Sequence, residues 1–87
     1  MTSLRRATFE VTDVFTIAGI GVVVTGKVLE GTIELGMKAV ISDKESEIRS
    51  IETFSHAVNS VSEGDNAALA LTNIQKKDVT LGTLFFE

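Results

Sequence analysis

Lys27 follows Gly21 and Gly26 in the stretch GVVVTGKV, and the spacing G-x-x-x-x-G-K is that of loops that wrap the phosphates of ATP or GTP. Such a loop needs a flexible turn whose backbone N–H groups converge on the anion. It also needs a helix starting behind the Lys and a Ser or Thr next in sequence to hold magnesium. Here the four residues between the glycines are Val22, Val23, Val24 and Thr25, all β-branched, stiff at χ1 and suited to extended backbone. Val28 stands where the magnesium hydroxyl belongs. The segment is therefore expected to be a strand, and the spacing a coincidence of two strand glycines.

Other groups capable of chemistry are sparse. His56 is the only histidine; it has no second imidazole or clustered carboxylates with which to build a metal site, and no Ser, His and acid follow one another as a catalytic triad. Glu45 and Glu47 fall in a polar hairpin and form no acid–base dyad. The chain has no Cys, which excludes disulfides and thiolate metal sites and makes a reducing compartment the simpler home. The basic pairs Arg5–Arg6 and Lys76–Lys77 are not interleaved with aromatics and read as solvated charge. Eight basic against twelve acidic residues give a net charge of -4, which argues against a partner held mainly by phosphate neutralisation but leaves room for a local RNA contact. No catalytic residue, cofactor, metal or bound nucleotide is expected of this chain.

The elements that must position these residues are short and regularly spaced. Turn signals recur every eight to twelve residues, the rhythm of a small all-β domain. ATFEVTDVFTI from Ala7 reads as a first strand and GVVVTGKVLEG, ending at Gly31, as a second. TIELG is a connection closing on Gly36, and MKAVIS from Met37 is a third strand. Asp43, Lys44 and Glu45 form a polar hairpin turn. SEIRSIETFSHAV reads as a partly buried strand with a polar outer edge, alternation putting Ile48, Ser50 and Glu52 on one face and Arg49, Ile51 and Thr53 on the other. NSVSEGDN is a turn-rich link, NAALALTNI a fifth strand, IQKKDVTLG a connection with one helical turn, and TLFFE from Thr83 the closing strand. Gly19 and Gly21 bracket a bend that calls for positive φ, and Gly26, inside a strand, marks a bulge or barrel corner. Phe9, Phe15, Phe54, Phe85 and Phe86 are assigned to the core and closure.

Eighty-seven residues with a 44% hydrophobic share make a single domain, 1–87, with one core. An open sheet of six short strands would expose an apolar face and two edges, so the fold class is all-β and the architecture a closed six-stranded antiparallel barrel. The N-terminal MTSLRRATFEV lacks the apolar run of a signal peptide, and no stretch approaches the roughly 20 apolar residues of a membrane span, so a cytoplasmic location without membrane attachment is expected.

The run FEVTDVFTIAGIGVVVTGKVLEGTIELG, from Phe9 to Gly36, resembles the second domain of elongation factor Tu and its translational GTPase relatives. The similarity continues through SIETF, EGDNAALAL, NIQKKDVTLG and TLF, covering about residues 8–86. It implies a six-stranded antiparallel barrel without its own GTPase site, which in the family lies in a separate preceding domain. It also implies a partner: the acceptor end of aminoacyl-tRNA, or a ribosomal surface. By matching position, Asp13 and Asn66 line the aminoacyl pocket and Glu52 packs beside the terminal adenine. A carboxylate and an amide are suited to an amino group and sugar hydroxyls without reading base sequence. The chain departs from the family pattern at Ile20, where an Arg is usual, at Val22, where a Thr is usual, and at Thr12, which replaces an acid. Ile20 and Val22 make that rim more apolar, and an apolar rim suits a protein partner. A protein-interaction module that has lost the RNA contacts therefore stands as the alternative.

Overall fold

Val22, Val23 and Val24 hold the backbone extended, and GVVVTGKV lies inside a ten-residue strand with no helix behind Lys27. The computed structural model describes residues 6–87, so Arg5 of the Arg5–Arg6 pair lies outside the described residues. The strands are β1 (Ala7–Ile17), β2 (Gly21–Glu30), β3 (Thr32–Glu34), β4 (Lys38–Ile41), β5 (Lys44–Thr53), β6 (His56–Val58), β7 (Ser60–Ser62), β8 (Asn66–Leu71) and β9 (Gly82–Phe86). Among the described residues a single 3-10 turn spans Lys76–Asp78.

Six strands form the barrel wall in the order β4-β5-β8-β2-β1-β9, all antiparallel. The two ends of that order meet. The Lys38 N–H donates to the Glu87 carbonyl at 2.8 Å and the Glu87 N–H returns the bond to Lys38 at 2.9 Å. Closure leaves no free edge between β4 and β9 at that point, which is the energetic reason for a barrel rather than an open sheet. Inside it, Phe9 and Phe86 are fully buried with Val24, Val28, Ile33, Ile48, Ile51 and Leu69. Burying each of these large apolar side chains contributes about 1.5–3 kcal/mol.

The expected six-stranded barrel is present, with three further short strands. The TIELG connection and the NSVSEGDN link are not plain loops: β3 and β7 come from them and pair with each other, Ile33 opposite Val61. Each contributes one buried residue to the core, and a three-residue strand is too short for alternation to register in sequence. The polar hairpin turn is Ser42–Asp43 alone, both at positive φ, since Lys44 already pairs with Ile41. Gly19 and Gly21 have φ of 82° and 109°, as the bend between β1 and β2 requires.

Of three register shifts in the wall, two reset the inward phase along β1 and β5. In β1 the register slips between Val11 and Asp13, leaving Thr12 as the extra residue; Val11 and Val14 are both buried while Thr12 and Asp13 are both exposed. In β5 the register slips between Ile48 and Ser50, so Ile48 and Ile51 both reach the core and Arg49 and Ser50 both face out. Strict alternation, which separated Ile48 from Ile51, is thus corrected by a β-bulge. The assignment of all five phenylalanines to the core is corrected too. Phe9 and Phe86 are buried, but Phe15, Phe54 and Phe85 are exposed: Phe15 lies on the outward phase after the Thr12 bulge, Phe54 sits in a turn, and Phe85 alternates with Phe86.

The 3-10 turn is tied to the wall by charge. Lys44 Nζ donates to Asp78 Oδ2 at 2.8 Å and the Gln75 N–H donates to the same oxygen at 2.8 Å. The Lys44 bond, with the Gln75 N–H second, holds the Asp78 carboxyl below its usual range. A carboxylate with a depressed folded pKa stabilises above its unfolded pKa, and that contribution is lost as pH falls through the folded value. Lys44→Met should therefore be less stable than the parent in urea at neutral pH, with the two curves converging below about pH 4. A gap that stays constant down to acid would mean that Asp78 gains nothing from Lys44.

Candidate functional site

The same pairing that builds the wall arranges its outer face in transverse rows. One row crosses four strands as Phe15, Val23, Ala70 and Ser50; the next runs Asp13, Thr25, Ala68 and Glu52; beyond it Glu10, Lys27 and Asn66 lie opposite one another. Between the first two rows, the intervening positions Val14, Val24, Leu69 and Ile51 point into the core.

The first row forms the floor of an apolar groove. Val23 and Ala70 are only 8% and 3% exposed, yet they are not members of the core cluster. Phe15, Ile17 and Ile20, which remain 40–44% exposed, line the same depression. The groove has a volume of about 210 Å³, room for one planar ring system, and is bounded on its polar side by Thr25 and Glu52. A second, more polar cleft of about 490 Å³ adjoins it, sharing Thr25, Glu52 and Ala68 and adding Thr12, Lys27, Phe54 and Asn66. That volume falls within the range of small-ligand sites.

The residues singled out in sequence fare differently. Glu52 stands on the wall common to groove and cleft, and Asn66 lines the cleft. Asp13 is exposed at the β1 end of the Glu52 row but lines neither depression. Among the described residues, no hydrogen bond or ion pair engages the side chains of these three, so their oxygens and the Asn66 amide are free for a ligand. Ile20 is on the rim, 44% exposed. Val22 is not: at 4% exposure it belongs to the core, because it alternates with outward-facing Val23, and the expectation of a rim contact there is corrected. His56 is exposed at the start of β6. Among the described residues no three His, Asp or Glu side chains gather as metal ligands, and no helix is long and apolar enough to cross a membrane.

Several lining residues escaped the sequence reading. Phe15, Ile17, Val23 and Ala70 make the groove, and Lys27 and Phe54 line the cleft. One signal was available: three successive valines in an antiparallel strand give an apolar residue to both faces, so the outer one must be covered by something. Phe54 carried no such signal. It is 91% exposed at φ 51°, in a two-residue hairpin with Ser55 at φ 65°, a conformation that a bulky side chain seldom adopts.

Comparison with known proteins places this geometry in context. Residues 21–85 match the model of a family described as elongation factor Tu domain 2. Over 72 residues the chain is 43% identical to elongation factor 1-alpha of Cenarchaeum symbiosum, covering 80% of the chain and 16% of that protein. Over 78 residues it is 37% identical to the apicoplast elongation factor Tu of Plasmodium falciparum, covering 83% of the chain and 19% of that protein. Among solved structures, apo translation elongation factor SelB from Methanococcus maripaludis superposes with a TM-score of 0.80 at 25% identity, over 94% of this chain and 18% of that one. The chain thus spans less than a fifth of each of these relatives.

Proposed function

Because this chain belongs to the elongation factor Tu domain 2 family, we propose that its outward groove and cleft hold the aminoacylated acceptor end of a transfer RNA, as the barrel element of a GTP-binding translation factor. In this role the barrel performs no chemistry of its own. It offers the groove to the terminal base, the Glu52 carboxylate to a sugar hydroxyl or exocyclic amine at the groove wall, and Asn66 with Asp13 to the amino acid and its ester.

The observation that carries the reading is the free Glu52 carboxylate beside a covered apolar floor. A base brings an apolar face for Val23, Ala70 and Phe15 and polar edges for Glu52 and Thr25, and both demands are met within one depression. A flat protein surface would not need the floor recessed among Phe15, Ile17 and Ile20.

Amide spectra recorded on adding a short aminoacylated acceptor-stem RNA are expected to shift at Glu52 and Asn66 and along Val23 and Ala70, with Asp13 responding to the aminoacyl group. The deacylated RNA should keep the groove shifts and lose those at Asn66 and Asp13. No response at Asp13, Glu52 and Asn66 would overturn the assignment.

A further inference from the structure

We propose that Arg49 is the phosphate-contacting cation of this site, held at the mouth of the groove by the bulge in β5. The proposal rests on the reading that the groove holds an RNA end, and it adds how the charged backbone of that RNA is gripped.

A base lodged between Phe15, Val23 and Ala70 carries a phosphodiester that must leave through the groove's mouth. The charged residue on the groove wall is Glu52, which repels a phosphate. A cation is needed elsewhere, and the chain's net charge of -4 offers no general attraction. Among the described cations, one is tied by a hydrogen bond to a residue of the groove itself. Lys38 and Lys44 are paired with Glu45 and Asp78. Lys76 and Lys77 lie on the 3-10 turn, and Arg6 lines a depression beside Phe85 and Phe86. Lys27 lines the adjoining cleft, beyond the Glu52 row, and not the groove.

Arg49 is different. It is the extra residue of the β5 bulge, next to Ser50 on the groove wall, and its Nη1 donates to the Ile20 carbonyl at 3.3 Å. Ile20 is itself a groove residue, so this bond fixes the guanidinium at the groove's mouth. Among the described residues no carboxylate pairs with Arg49. A guanidinium has five N–H donors; one is spent on Ile20, and the rest form a fork that matches phosphate oxygens. Bulges often re-aim a side chain next to a functional site, and here the bulge puts a cation and the groove wall on the same face.

The test is the salt dependence of binding a fluorescent aminoacylated acceptor-stem RNA, titrated between about 50 and 200 mM KCl. One phosphate contact to single-stranded RNA contributes about 0.7 to the slope of log K against log salt. Arg49→Gln should flatten the slope by about that amount and weaken binding roughly tenfold at the low-salt end. Arg49→Lys should keep the slope. Ile20→Arg added to the Arg49→Gln protein should restore it, because it returns a cation to the same mouth. If the parent binds and Arg49→Gln leaves the slope unchanged, Arg49 is not the phosphate contact although the site stands. If the parent does not bind the RNA, the site and this proposal fall together.

Discussion

Gly26→Ala should cost the barrel about 3 kcal/mol or more, the largest stability loss we expect from adding a single methyl group. A Cβ built at Gly26 falls 1.7 Å from the Glu10 carbonyl oxygen, 2.8 Å from its carbonyl carbon and 3.1 Å from Phe9 Cε2. None of these atoms is the tip of a flexible chain. Glu10 sits in β1, which is hydrogen-bonded to β2 on one side and β9 on the other, so retreat from the methyl would break pairing across three strands. Phe9 is fully buried and has nowhere to turn. In a domain of this size the loss corresponds to a fall in melting temperature of roughly 12–24 °C. Gly21→Ala is the control: no atom lies within 4 Å of its Cβ, and only the positive φ of 109° opposes it, so a loss of about 1 kcal/mol is expected. Comparable losses from the two substitutions would show that β1 can move aside and that close contact at Gly26 does not hold the strands.

That Gly26 marks a special point in β2 was legible in the sequence; that the irregularity lies across from it, at Thr12 in β1, was not. A bulge has no side-chain signature here, since Thr12 and Arg49 are ordinary strand residues, and each shifts the phase of everything after it. This is why the strands, their order of hydrophobic runs and the barrel could be read from branched residues and turn signals, while the facing of Ile51 and Phe15 could not. Recognition of the family rested on several separated motifs, and it singled out Glu52 and Asn66, which the fold places on the walls of the groove and cleft. It could not carry the groove floor, because Val23 and Ala70 look like core residues until the register shows them on the outer face. The rim assignment at Ile20 and Val22 divided for a related reason. Ile20 is in the turn, free of alternation, whereas Val22 has already entered the strand and takes its inward phase.

On the proposal that the groove and cleft hold an RNA end, Ala68→Phe should remove most of that binding while leaving the fold intact. Ala68 lies at the centre of the second row, between Thr25 and Glu52, and borders both the groove and the cleft. It is half-buried on the outer face and outside the core cluster, so a ring added there projects into the depressions and not into the barrel. The ring would fill the space that the proposal assigns to the terminal base and shield the Glu52 carboxylate directly across from it. Stacking of one base on such a platform is worth about 1–3 kcal/mol, so its loss should weaken binding by about 5- to 150-fold. Glu52→Gln should act differently, removing the charge while leaving the groove open, and so cost less affinity than the blocked variant. The melting temperature of both variants should stay close to that of the parent, which separates a blocked site from a damaged barrel. Undiminished binding by a folded Ala68→Phe protein would mean that the RNA end lies elsewhere on the surface, and the roles given to Glu52, Asn66 and Arg49 would go with it.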